Sequence, residues 1–406
     1  MGNAVPAPVR KSISSLHIPS FRRRSSASVH IQPATDELLR EKPFRDDPTS
    51  VRESEQRKTD IERKYNAFYE KDRLQQFIQR YDENSCPKGK RENLLVLGCI
   101  VTWSNASLYK VQKLPSKEKF LLKVYQKTGL DDGYRRSRVV QEKMIQFAAR
   151  NEFLLGLDSA FHDSKYVYML LPFAKYGHLG RFLKEKKALS LRTIKIIAKQ
   201  MALALEYLND VHVCHRDISP ENIFIFEDGY LKLGEFGCAK VVPDRTFSKI
   251  GTTRYMAPEM FGEDGYERQV DMWAFGVVLY EMLCEGRHPF STRTHEVHVK
   301  EDIHFQPLAL PAELSKKYPK DYRDIKDLLG GLLEKSAARR FGRVEPGMSG
   351  VVFHPFFKDI NHKKMTAKDF KLEVFIDEPK ASKEGIMGRA GNEKMEPEDL
   401  QGYEGF

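Results

Sequence analysis

The sequence predicts an α+β fold of two lobes, a small β-rich lobe followed by a larger helical one. Three observations carry this. Apolar strand-like runs cluster between about 92 and 172, long apolar patterns of helical spacing dominate after Leu179, and 406 residues at 41 % hydrophobic content suffice for one large two-lobed domain with extensions.

The elements follow in order. Residues 1–47 are rich in Ser, Pro and Arg without apolar period and read as a disordered basic tail. Residues 48–91 read as an amphipathic helix and linker. Ile61, Tyr65 and Phe68, then Leu74, Phe77, Ile78 and Tyr81 recur mostly at spacings of three and four, with Pro48 and Thr49 near the start. Leu94–Leu97, Ser107–Val111 and Phe120–Val124 read as three strands, 137–148 as a helix and Tyr166–Pro172 as a further strand. Thr193–Leu208 and Asp271–Cys284 read as helices of the large lobe, placed at about 173–357. Residues 358–406 lose the period and read as a tail.

Composition narrows the function classes. The longest apolar stretch, Met272 to Leu279, is far shorter than the roughly 20 residues a membrane helix needs. Five scattered cysteines (Cys86, Cys99, Cys214, Cys238, Cys284) form no CxxC pair, which points to reduced thiols in a cytoplasmic protein and away from zinc. The net charge is +10, and the first acid, Asp36, follows Arg10, Lys11, Arg22, Arg23 and Arg24. No aromatic-interleaved basic stripe accompanies that excess, so nucleic acid is not an expected partner.

The most specific signal is His215-Arg216-Asp217-Ile218-Ser219-Pro220-Glu221-Asn222, which fits H-R-D-x-x-x-x-N. Phosphoryl transfer needs a carboxylate to accept a substrate hydroxyl proton and an amide oxygen on a metal; Asp217 and Asn222 have those types at that separation. Lys123, at the end of the third strand, and Glu142, in the following helical stretch, have the types of a phosphate-holding lysine and its carboxylate partner. Gly251 to Glu259 ends in Ala257-Pro258-Glu259, the close of an activation segment.

Together with Asp228–Lys240, Arg339-Arg340-Phe341-Gly342, Met1-Gly2-Asn3-Ala4 and Tyr403-Glu404-Gly405-Phe406, these motifs resemble the AGC group of protein kinases, in particular catalytic subunits of cAMP-dependent protein kinase. The resemblance covers about 90–406 and the first few residues. It implies a bilobal kinase domain at 92–357, an AGC-type C-terminal tail at 358–406 whose last phenylalanine folds back on the small lobe, and a structural ion pair between Glu259 and Arg340. It implies ATP with Mg or Mn as cofactors if the chain is active, with no cofactor as the alternative, metal at Asn222 and Glu235, and a nucleotide site that includes Gly98, Leu108, Leu121, Lys123, Ala174 and Phe224. Ser248 matches an activation-loop phosphosite with Arg216 and Arg245 as partners. Glu221 and Glu281 match readers of basic peptides, with His178 replacing a third acid.

The sequence also departs from that pattern. The glycine loop reads Leu97-Gly98-Cys99-Ile100-Val101-Thr102-Trp103-Ser104-Asn105-Ala106, with Trp103 and Ala106 at glycine positions and about three extra residues. Glu235-Phe236-Gly237 replaces the metal-binding aspartate, Ser219 replaces a catalytic-loop lysine, and Leu121 and Phe224 add volume to the adenine wall. Two expectations stay open. One is a catalytically impaired kinase-like protein that binds a protein or peptide, such as a regulatory subunit of the cAMP-dependent kinase type. The other is a divergent, active Ser/Thr kinase. At the N-terminus Gly2 is a candidate for myristoylation, with Arg22-Arg23-Arg24 as a second peripheral membrane signal and Ser25 and Ser26 as phosphorylation candidates; a plain tail is the alternative.

Overall fold

The structure, a computed structural model, describes residues 71–130, 132–186, 188–291, 296–343, 346–370, 372, 376–380 and 406. The expected disordered tail, Gly2, the basic cluster and the first half of the amphipathic helix lie outside these residues. Within them, the helix expected over 48–82 is present as α1, residues 71–83. It turns Phe77 and Tyr81 into the core, as their four-residue spacing requires.

The small lobe is a five-stranded antiparallel sheet in the order β1-β2-β3-β5-β4, made of β1 (Leu94–Thr102), β2 (Ala106–Lys113), β3 (Glu118–Gln126), β4 (Ser159–His162) and β5 (Tyr166–Pro172). Period-two alternation sorts β3 between two apolar layers. Phe120, Leu122 and Val124 join one cluster with Tyr109, Val111 and Leu170. Leu121 points the opposite way, into a cluster with Leu108 and Met169, and Lys123 shares its face. Helix α2 (Gly133–Ala148) covers this second layer, and its N-cap Asp132 accepts a hydrogen bond from the Arg135 amide at 2.6 Å.

The large lobe contains α3 (Leu179–Lys186), α4 (Leu191–Asp210), α5 (Val270–Leu283), α6 (Glu296–Phe305), α7 (Ala312–Lys317), α8 (Tyr322–Leu332), α9 (Met348–Val352) and α10 (His362–Thr366). Short strands β6 (Val213–Cys214) with β9 (Lys240–Val241), and β7 (Ile223–Ile225) with β8 (Leu231–Leu233), line its upper edge. Every residue of α5 is buried: its apolar stretch Met272–Leu279 demands it, and its two acids, Asp271 and Glu281, are buried with hydrogen-bond partners. Arg340 is 0 % exposed and pairs with Glu259 at 2.5 and 3.0 Å, the ion pair implied by the resemblance. Its remaining donors reach the carbonyls of Glu334, Gln269 and Lys335, so all five are paired.

Two segments join the lobes besides the linker after β5. In α1, Arg80 Nε donates to the Ala148 carbonyl of α2 at 3.0 Å, while Arg73 pairs with Asp210 of α4 at 2.6 Å. In the tail, the Asp377 carbonyl accepts from Arg181 of α3 at 2.7 Å, and Glu378 pairs with Lys110 of β2 and Lys119 of β3. The tail expectation needs one correction: it contains α10, a single turn capped by Asn361, too short for a period to show. Terminal Phe406 is buried in the small-lobe cluster, with Lys143 Nζ 5.2 Å from its ring centre. Among the described residues no helix is long and apolar enough to cross a membrane.

Candidate functional site

Lys123 lies within β3 rather than at its end, three residues before the strand closes. The pleat directs it inward, where it is 3 % exposed. Its Nζ donates to Glu142 Oε1 at 2.7 Å and to Glu235 Oε2 at 2.8 Å. Two residues along the same face, the Tyr125 hydroxyl donates to Glu142 Oε2 at 2.6 Å. Burial alone would lower the lysine pKa, but the Glu142 and Glu235 carboxylates outweigh it and hold the ammonium well above its ordinary value.

The catalytic-loop motif is held from beneath. The buried carboxylate of Asp271, at the start of α5, accepts the backbone amides of His215 at 2.7 Å and Arg216 at 2.8 Å. Arg216 sits at φ 67° and Glu235 at φ 60°, both left-handed. Phe236, 1 % exposed, packs edge-on against His215 and anchors the turn that follows Glu235. The Asn222 amide donates to the Asp217 carbonyl at 2.7 Å and to Asp217 Oδ2 at 2.9 Å, so the two sequence candidates meet.

Sequence reasoning missed Thr252. Its amide and hydroxyl both donate to Asp217 Oδ1, at 2.8 and 2.7 Å. Gly251 makes this approach possible: its φ is 112°, and a Cβ there would stand 2.2 Å from the Arg216 carbonyl oxygen. The glycine was visible in the sequence, but nothing in its spacing pointed to Asp217.

The loop between β1 and β2 is tight. Trp103 N donates to the Ala106 carbonyl at 2.8 Å, leaving Ser104 and Asn105 as the turn. Register shifts skip Leu97 and Ile100, so bulges absorb two of the roughly three extra residues. Gly98 consequently sits mid-strand opposite Lys110, with five residues between it and the turn, and is not among the residues that border the cleft below the hairpin.

Below the hairpin opens a cleft of about 450 Å³, bordered by Trp103, Lys123, Arg138, Glu142, Asp217 and Glu235. The Trp103 ring centre is 5.9 Å from Lys123 Nζ. The other nucleotide-site candidates do not border this cleft. Leu108, Leu121, Ala174 and Phe224 are packed into one apolar cluster at 4, 2, 4 and 7 % exposure, and the Phe224 ring lies against Gly234. For ATP with Mg, the phosphate end therefore has suitable donors, and the wall expected to meet the base is an apolar layer closed on its own side chains.

Ser248 is half-buried, and its carbonyl accepts from the Tyr266 hydroxyl at 2.5 Å. Arg216 Nε donates to the Cys238 carbonyl at 2.6 Å, and its Nη1 is buried with no hydrogen bond among the described residues. Arg245 instead reaches the Asp264 carbonyl at 3.0 Å. Glu281 on α5 is 6 % exposed and is met by Arg254 at 3.4 Å and by the Tyr255 hydroxyl at 2.9 Å. Glu221 lies close to His178, whose pKa is lowered by burial and only partly restored by that carboxylate.

Comparison with known proteins agrees with this architecture. Residues 103–357 match the protein kinase domain family. The cAMP-dependent protein kinase catalytic subunit of Arthrobotrys oligospora is 30 % identical over 270 residues, 66 % of this chain and 50 % of that protein. cAMP-dependent protein kinase type 3 of Saccharomyces cerevisiae is 32 % identical over 231 residues, covering 56 and 55 %. Catalytic subunit 2 of Drosophila melanogaster is 28 % identical over 288 residues, covering 70 and 79 %. The chain thus spans about half the length of the first two relatives. With more than half of its length matched to the kinase domain and its relatives among cAMP-dependent kinases, this chain belongs to the protein kinase superfamily and is AGC-like within it.

Proposed function

We propose that this chain is a kinase-family signalling protein with weak or absent phosphoryl transfer, acting through binding. The observation that carries this reading is the filled adenine wall. Leu121 and Phe224 pack with Leu108 and Ala174 into one apolar layer, and the Trp103 ring stands over Lys123. Opening such a layer would expose apolar area and strain its neighbours. Ser219, buried beside Asp217, brings no charge to the place of a catalytic-loop lysine.

Thermal unfolding with ATP alone, with Mg²⁺ and with Mn²⁺ tests it. A ligand at about 100 times its Kd stabilises a fold by about 2.7 kcal/mol. The expected result is no shift in any combination. A metal-dependent shift that disappears in Lys123→Met would overturn the reading.

An active Ser/Thr kinase is the second reading, and the intact Lys123–Glu142 and Asp217–Asn222 contacts favour it. Asp217 would then orient a substrate hydroxyl and accept its proton. Lys123 would hold phosphate oxygens, Asn222 and Glu235 would hold the metal, and Mg-ATP would supply the phosphoryl group. Transfer of labelled phosphate to Ser/Thr peptides in basic contexts decides between the two.

Regulation follows from the same geometry. A phosphate on Ser248 would bring a charge towards the buried guanidinium of Arg216. A protein or peptide partner, such as a regulatory subunit of the cAMP-dependent kinase type, would meet Glu221 and Glu281; with Arg254 already on Glu281, selection for basic sequence is partial. Gly2 remains the lipidation candidate, and the mass of the mature N-terminus from native cells is its test.

A further inference from the structure

We infer that Glu235 is an internal counter-ion of Lys123 that decides what the cleft accepts, excluding phosphate-bearing ligands that arrive without a metal. The inference deepens the reading above by naming the residue that closes the phosphate end, and it does not depend on the adenine wall. Two of the three ammonium donors of Lys123 are directed at carboxylates, Glu142 Oε1 at 2.7 Å and Glu235 Oε2 at 2.8 Å. The rings of Tyr125 and Trp103 cover it from 5.2 and 5.9 Å. A phosphate oxygen approaching Lys123 must therefore displace Glu235 or lie beside two carboxylates.

Glu142 and Glu235 are not equivalent in this competition. Glu142 is 2 % exposed and also accepts from Tyr125, so it is the fixed partner. The Glu235 side chain is 17 % exposed and borders the cleft, so it is the partner an incoming anion meets. Its backbone is held at φ 60° and ψ 64° by the turn over buried Phe236, and two residues on the Gly237 carbonyl accepts from Arg138 at 2.6 Å. The carboxylate is thus presented to Lys123 by framework, without help from a ligand. The other charges on the cleft wall do not change the balance. Lys123, Arg135 and Arg138 face Glu142, Asp217 and Glu235, three cations against three carboxylates. A bare polyphosphate finds no net positive charge there. A divalent cation held by Asn222 and Glu235 would supply it and draw Glu235 away from Lys123.

The test uses inorganic tripolyphosphate in EDTA with the full chain, read by calorimetry, because this probe carries phosphates but no base. Glu235→Gln removes one negative charge and the ion pair with Lys123. Asp217→Asn removes one negative charge from the same cleft and leaves that ion pair in place. The expected result is at least about tenfold tighter binding for Glu235→Gln than for the natural chain, about 1.4 kcal/mol, with Asp217→Asn within about threefold of it. Glu235→Asp, which keeps the charge but is shorter by one methylene, should fall between and serves if Glu235→Gln does not fold. Equal gains in Glu235→Gln and Asp217→Asn would mean that only net charge matters and would sink the inference. So would unchanged binding in both Glu235 variants. ATP binding by the natural chain would defeat the filled-wall reading without altering this outcome.

Discussion

Two buried cations, Arg340 in the large lobe and Lys123 in the small one, do opposite things with the same chemistry. Arg340 has all five donors paired, two on Glu259 and three on backbone carbonyls, and is 0 % exposed. Lys123 is nearly as buried but borders an open cleft, and both its carboxylate partners border it too. Neither pair stabilises much relative to apolar residues, because desolvation offsets the attraction. What differs is the consequence of rearrangement. Moving Glu259 strands a guanidinium in the core, whereas moving Glu235 leaves Lys123 with Glu142 and access to solvent. A fully paired ion is framework, and one with an exchangeable partner is a site.

The comparison can be broken by stability measurements. The largest effect is expected from Arg340→Met, which leaves Glu259 without its guanidinium and removes a donor from each of three carbonyls. Urea unfolding should show a loss of about 3–5 kcal/mol. Lys123→Met should cost less, about 2 kcal/mol, since Tyr125 remains on Glu142 and water can enter the cleft. A larger loss in Lys123→Met than in Arg340→Met would reverse the assignment of framework and site.

Acid sharpens the contrast further. His288, in the large lobe, accepts the amides of Phe290 and Ser291 on Nδ1 and bonds the Arg254 carbonyl through Nε2. Burial, chiefly, pushes its pKa down to about 4 from 6.5. The folded state therefore prefers neutral His288, and the unfolded chain takes the proton first. Its contribution is intact above pH 6.5 and is lost as pH falls towards 4. The urea midpoint should drop across that window, and less so in His288→Asn. The smallest effect belongs to Glu378→Ala. Its pairs with Lys110 and Lys119 lie near the surface, so the loss should stay below about 1 kcal/mol and vanish in high salt.

Local pattern made much of this legible. The β3 run Phe120–Val124 announced a strand and Asp271–Cys284 announced a helix, because side-chain periodicity is a short-range property. The H-R-D loop and Lys123 with Glu142 were readable because type and spacing are tied to chemistry. What stayed hidden depends on backbone shape over long separations. Glu235 reaches Lys123, 112 residues away, only through a left-handed backbone. Thr252 reaches Asp217 only because Gly251 lies over the Arg216 carbonyl. The extra residues of the glycine-loop region were countable, but that two of them form bulges at Leu97 and Ile100 was not. The exchange of Glu for Asp suggested a displaced metal ligand; its contact with Lys123 could not be read from composition.

The bridges from α1 and the tail have a kinetic consequence. Arg80 with Arg73, and Asp377 with Glu378, tie the lobes together at places remote from the linker. Ties acting in parallel must be broken at the same moment for the lobes to part, so their opening probabilities multiply. At about 1 kcal/mol each, one tie makes opening about 5 times rarer, and two about 25 times. How often Lys123 meets bulk solvent is then governed from the two flanks of the domain, by a helix that precedes it and a strap that follows it.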